Sequence, residues 1–141
     1  MNENKLKHLE FIQNIIARMS TNSFMVKGWS VTLVAAIFAL AASEANQSFA
    51  VVVFLPIIAF WVLDSFFLFQ ERGFRALYRK VADKPEDQIN FEMDPSTLDK
   101  TDLKAEKAGW WKVCCSPSLW LFHGALLIVT LLVMYVIPKS S

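Results

Sequence analysis

Leu119-Trp120-Leu121-Phe122-His123-Gly124-Ala125-Leu126-Leu127-Ile128-Val129-Thr130-Leu131-Leu132-Val133-Met134-Tyr135-Val136-Ile137 runs without one formal charge. At about 1.5 Å per residue, a helix of this length crosses a hydrocarbon core roughly 30 Å thick. Two more blocks of similar length precede it. Phe24 to Ala42 contains one charge, Lys27, at its start, and Phe49 to Phe69 contains one, Asp64, near its end. These three blocks hold almost all the apolar residues of a 141-residue chain that is 55% hydrophobic. The length allows one domain of ordinary size. Twelve Phe and five Trp are too many for a disordered chain. Fourteen Lys plus Arg against 13 Asp plus Glu lack the basic excess of a nucleic-acid binder, so no nucleic-acid partner is expected. The expected class is an all-α membrane protein whose first partner is the lipid bilayer.

The segments divide as 1–23, an amphipathic helix; 24–70, a two-span transmembrane hairpin; 71–117, a polar helical segment; and 118–138, a third transmembrane helix. The connection Ser43-Glu44-Ala45-Asn46-Gln47-Ser48 is short enough to force the first two spans into a hairpin. Thirteen cations precede the first span, open it, or lie between the second and third, whereas the hairpin connection has none and the tail has only Lys139. The positive-inside rule then puts the N-terminus and residues 71–117 of this multi-pass chain in the cytoplasm and the C-terminus outside. The first span ends in Ala39-Leu40-Ala41-Ala42, a loose likeness to a signal-peptide cleavage site, but a long patterned segment precedes it and retention is expected.

Leu6, Leu9, Ile12, Ile15, Ile16 and Met19 recur at three- and four-residue intervals, the stripe of an amphipathic helix. It would lie on the bilayer surface, pack against the rest of the chain, or recognise a partner. Ser20-Thr21-Asn22-Ser23 is expected to interrupt it and to cap a new helix at Phe24. Beyond the second span, Phe74, Leu77, Tyr78 and Val81 continue a helical stripe that should end before Lys84-Pro85. Residues 85–96 read as a loop, and Thr97 to Val113 as a polar helix capped by Ser96. Trp110 and Trp111 fall at interface depth, and Ser116-Pro117 opens the third span.

Cys114 and Cys115 are adjacent, a poor arrangement for a disulfide, and His8 and His123 have no zinc-site spacing. No phosphate-binding glycine loop, nucleophile elbow or metal-binding histidine pair is present, so no catalytic residues, metal or cofactor are expected, and an enzyme is the weakest reading.

The polar residues inside the spans carry more information. Lys27 lies about one turn into the first span, and Asp64 about six residues, roughly 9 Å, from the cytoplasmic end of the second. His123 lies at a similar depth in the third. The three form one layer, read either as a gate or proton site around Asp64 or as a polar clamp fastening the helices. Gly28, Thr32, Ala35, Ala39 and Ala42 form a stripe of small residues that lets helices approach closely in lipid, within the chain or between copies of a homo-oligomer. Arg72, Arg75, Arg79 and Lys80 make a cationic collar for anionic lipid headgroups or, alternatively, an anionic ligand.

The runs Phe11-Ile12-Gln13 and Lys27-Gly28-Trp29-Ser30-Val31-Thr32-Leu33, then Trp61-Val62-Leu63-Asp64-Ser65-Phe66-Phe67 and Gln70-Glu71-Arg72, resemble small bacterial inner-membrane proteins. The layout over roughly residues 5–82 is similar to that of SLATT-like effectors, in which a cytoplasmic helix precedes a two-span hairpin. That resemblance implies a membrane-perturbing role in anti-phage defence. This chain departs from it by its third span and by the lack of a recognisable sensor domain. Two functions follow as expectations: an oligomeric membrane effector or small channel, or a structural anchor that recruits a cytoplasmic protein partner.

Overall fold

The computed structural model describes residues 2–44 and 51–136, all helical or irregular, with no strand among them. Residues 45–48 of the expected hairpin connection, the start of the second block at Phe49, Ile137 and Lys139 lie outside the described residues, while Ser43 and Glu44 belong to the helix before it. The helices are α1 (Glu3–Glu44), α2 (Phe54–Asp83), α3 (Lys100–Ala105), α4 (Trp110–Cys114) and α5 (Pro117–Val136). Three helical stretches are long and apolar enough to cross a membrane: those carried by α1, by α2 and by the residues ending in α5.

The expected break at Ser20–Ser23 does not occur, because α1 runs through it as one helix. Ser, Thr and Asn cost at most about 0.7 kcal/mol each against alanine in a helix interior, and neither Pro nor Gly interrupts the run. The start is capped by Asn2, whose Oδ1 accepts from the Lys5 N–H at 2.9 Å.

The residues group into two compact units. The first comprises 1–23 and 66–113. Its core is Leu9, Ile12 and Ile16 of α1 against Ala76, Leu77 and Val81 of α2, closed by Leu98. Leu9, Ile12 and Ile16 thus meet protein, the second of the three outcomes open to the amphipathic helix, while Leu6 at the end of the stripe stays exposed. Helix α2 stops at Asp83, before Lys84-Pro85, as its sequence dictates. The following loop holds two short 3-10 turns, Glu86–Gln88 and Pro95–Thr97. At Gly73 α2 passes close to this loop, for a Cβ there would lie 3.2 Å from Pro95 Cβ.

The single polar helix expected over 97–113 is instead two short ones. The first starts later, with Asp99 rather than Ser96 as its cap, the carboxylate accepting from the Asp102 N–H at 2.9 Å. That bond holds the Asp99 carboxyl below its ordinary value, as the Ser96 side chain and N–H do for Asp94 and the Asn2 N–H for Glu86. Helix α3 ends where Lys107 adopts φ 54°, in the left-handed region. The Ala108 N–H reaches Leu103 O at 3.0 Å and the Lys107 N–H reaches Lys104 O at 3.1 Å. This is a Schellman stop, with lysine where glycine usually sits.

The second unit comprises 24–65 and 114–141. Val34 of α1, Val53 and Ile57 pack with Leu126 and Leu127 of α5, and Ala41 meets Val133 and Met134. Its distribution is inverted relative to a water-soluble domain. Ser30, Asp64, Ser65, His123 and Thr130 are buried, while Phe24, Trp29, Leu55, Leu121, Leu132 and Tyr135 are exposed. Apolar side chains outside and polar ones inside are what hydrocarbon as solvent selects. α5 opens at Pro117 as expected, with the Leu119 and Trp120 N–H groups both reaching Ser116 O.

Candidate intramembrane polar site

Asp64 is the hub of the second unit. Helical spacing turns it inward together with Trp61, one turn earlier, and Ile57, two turns earlier, so a carboxylate falls on the packed face of an otherwise apolar helix. Its Oδ2 accepts from the Lys27 ammonium at 2.6 Å and from His123 Nε2 at 2.9 Å. Asp64 and His123 have no exposure, and the Lys27 side chain retains 19%. Three residues from three helices, separated by up to 96 positions in sequence, thus meet on one oxygen.

Aromatic rings fix the imidazole. Trp61 stacks on His123 with centroids 5.7 Å apart and planes 13° off parallel, and Phe122 meets it edge-on at 5.1 Å. The Trp61 indole is itself held by donating Nε1–H to Cys114 O at 3.1 Å. The Lys27 ammonium lies 5.9 Å from the Phe122 ring centroid, within cation–π range. Nε2 is taken up by the carboxylate, and among the described residues the buried Nδ1 has no hydrogen-bond partner, as is true of the buried Ser30 Oγ.

Electrostatically, Asp64 and Lys27 are an opposite-charge pair, and His123 adds a polar partner on the same carboxylate oxygen. That composition keeps the ion pair tolerable in low dielectric. A carboxylate and an imidazole sharing one hydrogen bond can also hold or relay a proton. Among the described residues, no three His, Cys, Asp or Glu side chains gather as a metal site requires.

Trp61 is the member that the sequence reading missed. Its signal was its spacing, three residues before Asp64 on the same helical face. The small-residue stripe lies elsewhere: Gly28, Thr32, Ala35, Ala39 and Ala42 are all exposed, and the inward face of α1 is Val26, Ser30, Val34 and Ala41. Ala42 borders an apolar cleft of about 380 Å³ together with Phe38, Val129 and Val133. Thr32 returns its hydroxyl to Gly28 O at 3.0 Å.

The collar belongs to the first unit, and each of its cations is engaged there. Arg72 donates to Lys107 O at 3.0 Å, Arg75 pairs with Glu71 at 2.7 Å, Arg79 pairs with Glu106, and Lys80 reaches Asp102 at 3.5 Å. The acids involved are Glu71, Asp102 and Glu106. Glu71 was legible as the i,i+4 partner of Arg75, whereas the other two arrive from across the loop.

No protein-family model, curated protein or solved structure matches this chain.

Proposed function

We propose that this is a multi-pass inner-membrane protein that assembles as a homo-oligomeric effector or channel-like complex, perturbing or conducting across the bilayer. In this reading the N-terminus and residues 71–117 are cytoplasmic, α1 and α2 form a transmembrane hairpin, α5 is a third span, and the C-terminus is outside. The observation that carries it is the wholly buried Asp64 held by Lys27 and His123 within apolar helices. Ionisable groups at such depth are costly, and where they occur they tend to line ion or proton paths or to act as gates. The exposed stripe from Gly28 to Ala42 supports assembly, since small residues drive helix association in lipid. The layout shared with SLATT-like effectors supports a role in anti-phage defence. In this reading the contacts of Lys27 and His123 with Asp64 hold the gate shut, and breaking them is the opening event.

Ion flux through liposomes holding the purified protein tests this, with Asp64→Asn beside the wild type. Flux that the substitution alters supports conduction. Silence of the folded, oligomeric wild type and of Asp64→Asn alike would sink the channel.

A second reading is a membrane anchor that recruits a cytoplasmic protein. It is favoured by the independent core of the first unit and by a cleft there of about 410 Å³ lined by Gln13, Tyr78, Arg79 and Glu106. A flux-silent protein that retains a partner through residues 1–22 and 71–113 would establish it.

A further inference from the structure

The charges of residues 99–112 are sorted by sign. The acids turn toward the protein: Asp99 caps α3, Asp102 reaches Lys80, and Glu106 pairs with Arg79. The lysines do not. Among the described residues, Lys100, Lys104, Lys107 and Lys112 have no carboxylate within ion-pair distance. These four line a groove of about 300 Å³ whose walls are Leu103, Trp110 and Trp111. Trp110 is fixed edge-on to Phe69 at 5.7 Å, while Trp111 is 79% exposed. Lys107 holds its place with φ 54°, a conformation glycine would adopt without steric cost, and a glycine stands only two residues away at 109.

We propose that this groove binds an anionic phospholipid, the phosphate among the lysines and an acyl chain along Leu103 and the tryptophans. A ring of unpaired cations around an apolar floor matches an amphiphile with an anionic head. A soluble phosphate would satisfy the lysines and leave the floor wet. Trp111 stands six residues before Pro117, the first residue of α5, and tryptophan beside a span is an interfacial anchor. Clustered lysines at that position attract anionic lipid, each contributing about a fivefold gain in partition. The arginine collar is not the site, because its cations are engaged within the chain. The proposal requires α5 to cross a bilayer and does not depend on conduction.

The experiment is quenching of Trp111 fluorescence in phosphatidylcholine vesicles that contain full-length protein and a small fraction of brominated lipid. The Trp111 signal is obtained by difference from Trp111→Phe. Brominated phosphatidylglycerol should quench severalfold more than brominated phosphatidylcholine at the same mole fraction. The combined K100Q/K104Q/K107Q/K112Q variant should bring the two to parity, Arg75→Gln should change nothing, and millimolar inorganic phosphate at matched ionic strength should not relieve the quenching. Equal quenching by the two lipids in the wild type overturns the proposal, and that comparison needs no lysine variant to fold. So does enrichment that survives loss of all four lysines, or that inorganic phosphate displaces. Single Lys104→Gln and Lys112→Gln variants, each lowering the preference part of the way to parity, carry the test if the combined variant does not fold.

Discussion

His123 and Asp64 are joined by a 2.9 Å hydrogen bond between two side chains that have no solvent exposure. The bond matters because Lys27 uses the same carboxylate oxygen. Removing any one member leaves the other two with an unbalanced charge or an unmet polar atom in an apolar setting. Asp64→Leu should therefore destabilise the protein by about 3 kcal/mol, the lower end for breaking a buried pair, since Lys27 can turn its ammonium toward the headgroups. Adding Lys27→Met should recover most of that loss, because an apolar pair of similar volume has no desolvation cost. Thermal unfolding in detergent of the two single variants and the double variant measures the coupling, and simple additivity would show the pair to be energetically idle.

Lys107 leads to a second expectation. A non-glycine residue in the left-handed region carries roughly 1–2 kcal/mol of steric cost. Lys107→Gly should relieve part of it and raise stability by about 1 kcal/mol, with the Schellman bonds to Leu103 and Lys104 unchanged. Denaturant unfolding of the two proteins decides this. A loss of stability would mean that the lysine side chain itself holds the α3–α4 junction.

The sequence carried the fold class and the polar layer for a simple physical reason. A span is written in contiguous residues, and an ionisable group within one is conspicuous. Lys27, Asp64 and His123 could be placed at one depth by counting residues at 1.5 Å each. What it did not carry depends on partners distant in the chain. Whether the stripe ending at Leu9, Ile12 and Ile16 meets lipid or Leu77 is decided by α2, not by local periodicity. The continuity of α1 through Ser20–Ser23 was hidden because polar cap-formers are also tolerated inside a long helix. The split of the 97–113 helix turned on Lys107, a residue type that gives no warning of a left-handed backbone. The collar looked like a free cationic surface until Asp102 and Glu106 came into place.

The loop of the first unit should respond to acid in a defined window. Asp99 and Asp94 sit below the ordinary 3.8, held down by the Asp102 N–H and by the Ser96 side chain and N–H respectively, and Glu86 sits below the ordinary 4.5, held down by the Asn2 N–H. A carboxylate depressed in the folded state contributes stability that is complete above its unfolded value and is lost as pH falls through the folded one. Amide-exchange protection at Ser96 and Asp102, normalised for intrinsic rates, should thus be flat from pH 7 to 5 and decline only below about pH 4. Asp99→Asn should remove the acid dependence at Asp102. A decline that begins near pH 6 would implicate a histidine instead.

The small-residue stripe can be tested without disturbing the chain's own packing. Ala35 and Ala39 are exposed, and a Cβ at Gly28 would meet nothing within 4 Å. Larger side chains there should change the stability of one chain by no more than about 0.5 kcal/mol, as is usual for exposed positions. Association through the stripe is a different matter, because close approach of helices in lipid requires small residues along the contact. The A35F/A39F variant should keep its thermal midpoint while its oligomer falls to monomer, read by mass photometry or by crosslinking in liposomes. Gly28→Ala should have a milder effect in the same direction. An oligomer that survives both phenylalanines would place the contact between copies on another face, the obvious alternative being the exposed Leu121, Ile128 and Leu132 of α5.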